Sequence, residues 1–195
     1  AAPPVVVGVV VGAADVEGKA FTEGFDRKIC AYNMQPVLET LKYLKHETDV
    51  WFEITNLIIP GENDNEDELE QMTRWVVDEL GPDVPMHFTA FHPDWKMRDY
   101  PHTPPETLTT AREIALRNGV RYAYTGNVHD AAGGSTICHS CRQSLIVRDW
   151  YRLLDWRLDE QGRCRNCRTA CAGRFEATPG DWGPRRQPVR LADFV

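Results

Sequence analysis

The sequence predicts an α/β protein with a parallel sheet, followed by a small metal-binding tail. Three observations carry this. Strand-like and helix-like runs alternate through the first two-thirds of the chain, as in repeated βαβ units. The strand candidates begin at Val5, Val50, Met86 and Val120, which leaves room for one crossover helix in each unit. Two Cys-x-x-Cys pairs, Cys138/Cys141 and Cys164/Cys167, then fall in a segment of different character. Periodicity leaves an open sheet and a curled barrel as alternatives.

The elements follow in order. Residues 5–11 form a valine-rich run with no preceding Lys or Arg, a poor signal peptide and a good buried strand. Residues 14–32 read as a polar connection. Residues 35–44 read as a helix, with Pro36 in its first turn and Val37, Leu38, Leu41 and Leu44 at helical spacing. Residues 50–59 are the second strand, stopped by Pro60-Gly61. Residues 65–80 are the clearest helix: Asp64 or Asn65 caps it, three acids follow, and Gly81-Pro82 ends it. Residues 86–91 are the third strand, 106–118 a helix led by Pro104-Pro105, and 120–124 the fourth strand. From about Ala131 a small irregular domain is expected, and residues 178–184 should be a loop. The domains are therefore 1–130 and 131–195.

The net charge of −7 argues against a general nucleic-acid binder, although Arg163, Arg165, Arg168 and Arg174 crowd the cysteine segment. No apolar stretch approaches the ~18 residues of a membrane span. Six cysteines without a secretion signal, five of them in the last third, imply metal binding in a reducing cytoplasm. The start at Ala1, with no lead-in before the first strand candidate, raises the expectation of a longer parent chain.

In parallel β/α proteins the working face lies at the C-terminal ends of the strands. Asp15, Glu17 and Lys19 follow the first strand, and Thr55, Asn56, Glu62 and Asn63 lie along or after the second. His92, Asp94 and Trp95 follow the third; Asn127, His129 and Asp130 follow the fourth. Glu17 and Lys19 also fit an exposed loop pair, and Asn63 and Asp64 also fit turn and cap positions. His87, in mid-strand, reads as a structural histidine.

The residues at these positions resemble a family. Phe52 to Asp64 (FEITNLIIPGEND) resembles the fifth strand and following turn of radical SAM activating enzymes such as the pyruvate formate-lyase activator. Phe88 to Trp95 (FTAFHPDW) is similar to their sixth strand with its histidine, and Asp15 to Thr22 (DVEGKAFT) to their fourth-strand segment. The run Tyr124 to Asp130 (YTGNVHD), followed by the cysteine pairs, resembles the radical SAM enzyme of the AmmeMemoRadiSam system. The similarity extends from about Ala14 to Arg190.

The resemblance implies the C-terminal β/α units of a partial radical SAM barrel, with an upstream half-barrel as partner. It implies S-adenosylmethionine held at the strand ends by Glu17, Lys19 and His92, with Thr55 as a weaker polar contact. The parent would cleave S-adenosylmethionine reductively to a 5′-deoxyadenosyl radical that abstracts hydrogen from a substrate, a protein glycyl residue among the options. Two departures stand out. The Cys-x3-Cys-x2-Cys motif that holds the [4Fe–4S] cluster is absent from the chain, and Cys30 cannot replace it. Glu17-Gly18 replaces the usual Asp-Leu, and the glycine should loosen the strand.

Cys138, Cys141, Cys164 and Cys167 suit a closed, structural zinc site, with iron and free thiols as the other readings. Arg142 and Arg168 stand where such knuckles commonly carry glycine, and Cys171 and His139 are spare ligands. Trp150, Tyr151 and Trp156 should pack this domain against the barrel. A non-catalytic, zinc-stabilised module that docks a protein partner is the alternative to the enzyme reading. A complete enzyme using the zinc directly would need an open metal position, which four cysteines do not leave. Half a barrel would expose the edge and apolar face of its first strand, so marginal stability or pairing is expected.

Overall fold

A computed structural model of the chain describes residues 13–18, 20–22 and 34–180. Four parallel strands form the main sheet in sequence order: β1 Ala13–Glu17, β2 Trp51–Ile58, β3 Met86–Ala90 and β4 Ala123–Gly126. The crossovers contain helices α1 Met34–Glu47, α2 Glu66–Trp75 and α3 Pro105–Arg117. Helix α2 is capped by Asn65, whose side chain accepts from the amides of Asp67 and Glu68. It continues as a π-helical stretch, Val76–Leu80, and ends at left-handed Gly81.

Burial alternates strictly along β2. Phe52, Ile54, Asn56 and Ile58 are buried, while Trp51, Glu53, Thr55 and Leu57 are half-buried. The buried set faces the helices, and its apolar members Phe52, Ile54 and Ile58 join Met86, Phe88, Leu69, Leu108 and Ile114 in the main core. Each such side chain contributes roughly 1.5–3 kcal/mol relative to exposure. The other set lies on the open face of the sheet, the face away from the helices.

The cysteine segment forms a second, antiparallel sheet of β5 Thr136–Ile137, β6 Ser144–Asp149 and β7 Arg152–Trp156. Its core includes Leu145, Ile146 and Leu158 together with Tyr122 and Tyr124 of the main sheet's last strand segment. The ribbon therefore covers the open face at β4. Ala172 N donates to Tyr122 Oη at 3.0 Å, and Arg174 donates to the carbonyl of Asp49.

Several expectations need correction. The expected strand at 5–11 and Cys30 lie outside the described residues. Strand β1 falls within the segment read as a polar connection, because its outward Asp15 and Glu17 mask the inward Ala14 and Val16. Gly18 does not loosen this strand. Its amide donates to Thr55 O at 2.9 Å and its carbonyl accepts from Asn56 Nδ2 at 2.8 Å. Strand β4 starts at Ala123, since Val120 and Arg121 are tied by their amides to Ala115 O and Pro82 O. The tail is a three-stranded ribbon rather than an irregular domain. Of the three aromatics expected to pack this domain against the barrel, Trp150 is 50% exposed but contacts His129, Tyr151 is 67% exposed at the hairpin tip, and Trp156 packs within the ribbon against Phe175. Among the described residues, no helix is long and apolar enough to cross a membrane.

Glu70 ties α2 to α3: its carboxylate takes Arg117, Asn118 Nδ2 at 2.7 Å and Arg74 Nε at 3.2 Å. The Arg117 hydrogen bond, and then that of Asn118, bring Glu70 down to about 2. A folded value below the unfolded one adds stability above the ordinary carboxylate range, lost as pH falls through that range toward 2. Glu70→Gln should lower the melting temperature at neutral pH by about 2–4 °C. It should also flatten the loss of stability on acidification, measured by thermal melts from neutral pH downward. An unchanged acid slope would remove Glu70 from this role.

Candidate functional site

The parallel register builds the open face. Glu17 pairs with Thr55, Thr55 with His87, and His87 with Tyr124, so these four positions form one row across the sheet. Asp15 and Glu53 form the row below. Thr55 Oγ1 donates to Asp15 Oδ1 at 2.8 Å. His87 Nε2 lies 2.6 Å from Glu53 Oε2, and Trp51 Nε1 donates to Glu53 Oε1 at 3.1 Å. Burial by itself would raise the Glu53 carboxyl; the hydrogen bonds from His87 and Trp51 outweigh it, and the net shift is downward. The His87 ring stacks on Tyr124 with centroids 5.0 Å apart. Burial pushes the Tyr124 phenol up to about 12.

The residues expected at the strand exits divide into two groups. Glu17 and Thr55 are adjacent on the open face, and His92 is exposed just beyond β3, edge-on to His102 at 4.5 Å. Lys19 lies outside the described residues. The others shape the backbone. Asn56 points into the helix-covered side. Asn63 is buried in the turn, accepting from Ile59 N and donating to Leu57 O. Glu62 accepts from Tyr100, Asp94 from Trp95 N, and Asn127 donates to Ala90 O. Asp130 is held low chiefly by the Gly133 amide and also accepts from Thr125 Oγ1.

His87, read as a structural histidine, lies on the open face, paired with Glu53 and beside Thr55. The sequence signal was the parity of Trp51, Glu53 and Thr55 along β2. It becomes useful only once the register with β3 is known.

The second arrangement is a set of four thiols that could hold a metal ion. The Sγ atoms of Cys138, Cys141, Cys164 and Cys167 all lie within 4.8 Å of one another. Cys138 and Cys167 are 3.6 Å apart, Cys141 and Cys164 3.7 Å. A tetrahedral ion with metal–sulfur bonds of about 2.3 Å has edges of about 3.8 Å, so the donor set fits one such ion. A four-iron cluster binds each thiolate to a separate iron and needs them farther apart.

Two matching turns present the thiols. Arg142 N donates to Cys138 O and Arg168 N to Cys164 O; Cys138 N then donates to Gln143 O and Cys164 N to Thr169 O. Arg142 and Arg168 both have left-handed backbones, φ 63° and 67°, which explains why glycine is usual there. Burial pushes Cys138 up to about 11, whereas the Thr169 hydroxyl and amide bring Cys167 down to about 6. Cys171 is buried beside the centre, and His139 lies against Tyr122 at 3.3 Å.

No family model matches the chain. An uncharacterized protein of Methanocaldococcus jannaschii is 44% identical over 154 residues, covering 78% of this chain and 45% of that protein. The chain thus spans less than half the length of this curated relative. Among solved structures, a domain of a pyruvate-formate lyase-activating enzyme from Bacteroides vulgatus matches with a TM-score of 0.52 at 14% identity. The match covers 60% of this chain and 68% of that one. It shows the fold alone: the parallel sheet and its helices share the β/α architecture of that domain, and the cysteine ribbon follows it in the chain.

Elemental analysis of the purified chain should find one tetrahedral metal ion per molecule. Cys164→Ser should lose it, and Cys171→Ser should keep it. Retention by the first variant or loss by the second would redraw the ligand set.

Proposed function

We propose that this chain is the C-terminal part of a radical SAM enzyme, related to the enzyme of the AmmeMemoRadiSam system. Residues 1–130 are the barrel portion and 131–195 the metal-binding tail. The observation that carries this reading is the row of polar side chains on the open face of an activating-enzyme-like sheet. Glu17, Lys19, Thr55 and His92 are the residues that would hold S-adenosylmethionine. A carboxylate and a cation suit the amino and carboxylate groups of its methionine end. When bound and reduced, S-adenosylmethionine supplies a radical that abstracts hydrogen from substrate.

The residues themselves supply position and charge. Gly18, fixed by Thr55 and Asn56, holds the end of β1 so that Glu17 stays beside Thr55. The Glu53–His87 pair places a hydrogen-bonded acid and imidazole next to that row. The chain has no Cys-x3-Cys-x2-Cys motif, so the cluster belongs to an upstream half-barrel partner. The substrate is a protein or a smaller molecule reached from the open face, and the setting is cytoplasmic.

The four-thiolate centre is assigned to structural zinc, since four cysteines close a tetrahedral site. The alternative, a non-catalytic module docking a partner through its arginines, has less support. Arg165 donates to Leu158 O, Arg168 pairs with Asp159 and Arg174 donates to Asp49 O, so three of these cations serve the fold.

The test uses the full-length parent, carrying both halves and a reconstituted cluster, under reducing, oxygen-free conditions. It should cleave S-adenosylmethionine to 5′-deoxyadenosine. His92→Ala should weaken S-adenosylmethionine binding by about tenfold, measured by equilibrium dialysis. A loaded, reduced protein that leaves S-adenosylmethionine intact would rule the reading out.

A further inference from the structure

A cavity of about 400 Å³ opens between β3, β4 and the tip of the β6–β7 hairpin. That is the size of a small-molecule site. Its lining combines four rings, His87, Tyr124, Trp150 and Tyr151, with the cation Arg148 and two carboxylates.

Local backbone features shape it. A bulge between Val147 and Arg148 shifts the register of β6 against β7, the kind of irregularity that re-aims a side chain. The Arg148 guanidinium stands over the Tyr124 ring, 6.0 Å from its centroid. Trp150, at the hairpin tip, adopts a left-handed backbone with φ 51°, a region that favours glycine. Its indole Nε1 donates to His129 Nδ1 at 2.8 Å, which fastens the tip over the exit of β4.

The charges near the cavity are unevenly satisfied. Asp130 accepts from Gly133 N and Thr125 Oγ1, both at 2.9 Å. Asp149 lies 3.6 Å from His129, and Glu53 is held by His87 and Trp51. Among the described residues, no hydrogen bond or ion pair engages the Arg148 guanidinium. The Arg148 guanidinium faces a ring and feels the Glu53 carboxylate only at longer range, so its hydrogen-bond donors are matched by a carboxylate or phosphate. Ring walls are matched by a planar, apolar body.

We propose that this cavity binds a planar anion: an aryl or heteroaryl small molecule bearing a carboxylate or phosphate. Arg148 takes the anionic group, and Tyr151 and His87 lie against the ring. The ligand's role as substrate rests on the radical SAM reading, because His87 is the direct register partner of Thr55. Binding itself does not rest on it.

Titration calorimetry on the full chain tests this with benzoate, phenyl phosphate and, as an uncharged control, benzamide. One of the two anions should bind with a dissociation constant below about 1 mM, and benzamide about tenfold more weakly or worse. The tighter anion identifies the group that Arg148 takes. Arg148→Gln should weaken anion binding about tenfold with an unchanged melting temperature. Tyr151→Ala, at an exposed position, should weaken it severalfold and guards against a folding defect in the first variant. Equal binding of benzamide, undiminished binding by Arg148→Gln, or no binding of either anion at about 10 mM overturns the proposal. The experiment contains no S-adenosylmethionine and no cluster. Its failure leaves the radical SAM reading standing, and failed cleavage leaves this pocket standing.

Discussion

A parallel sheet has to be covered on both faces, and α1, α2 and α3 cover only one. Everything distinctive about this chain concerns the other face. At β4 the cover is the cysteine ribbon, which takes Tyr122 and Tyr124 into its own core. Toward β1 the face carries Asp15, Glu17, Glu53 and Thr55 instead of aliphatic side chains. The division is set by a period of two along β2: one residue of slip would put Phe52 and Ile54 in the open and drive Glu53 into the helices. The large apolar side chains on the helix side make that slip prohibitively costly, so the core fixes the register and the register places the polar row.

The ribbon has too little apolar material to hold itself together. Leu145, Ile146 and Leu158 are its buried aliphatics, supplemented by the two tyrosines of the main sheet. Its two turns also force Arg142 and Arg168 into left-handed backbone, at about 1–3 kcal/mol each. A four-thiolate metal site offsets such strain comfortably, because metal binding to a site absent from the unfolded chain counts as folding free energy. The ribbon and the open face also share a side chain. Tyr124 belongs to the ribbon core and also stacks on His87, so one ring packs against both the cysteine ribbon and the row beside Thr55.

Much of this was legible in the residues. Helix α2, with its cap, acidic first turn and terminal glycine, was found almost to the residue, because those signals are local. The four cysteines were found because their spacing is itself the signal. Strand β1 was missed by periodicity, since two carboxylates facing outward make a five-residue strand look like a loop; the family resemblance marked the same stretch as a strand. The Glu53–His87 pair needed the β2–β3 register, which no single strand contains. Arg148 was invisible for a similar reason: a bulge in β6 directs it, and bulges leave no pattern in one sequence.

The polarity of the open face also limits what can lie against it. An apolar layer would strip water from Asp15, Glu17 and Glu53, and a buried carboxylate without a partner is expensive. Glu53 meets this with His87 and Trp51, and Asp15 with Thr55. These are side-on contacts within the sheet, made among the described residues. A face built this way tolerates water or a polar ligand more readily than it tolerates a second hydrophobic core. The same polarity that makes an apolar cover costly is what a ligand-facing sheet surface requires.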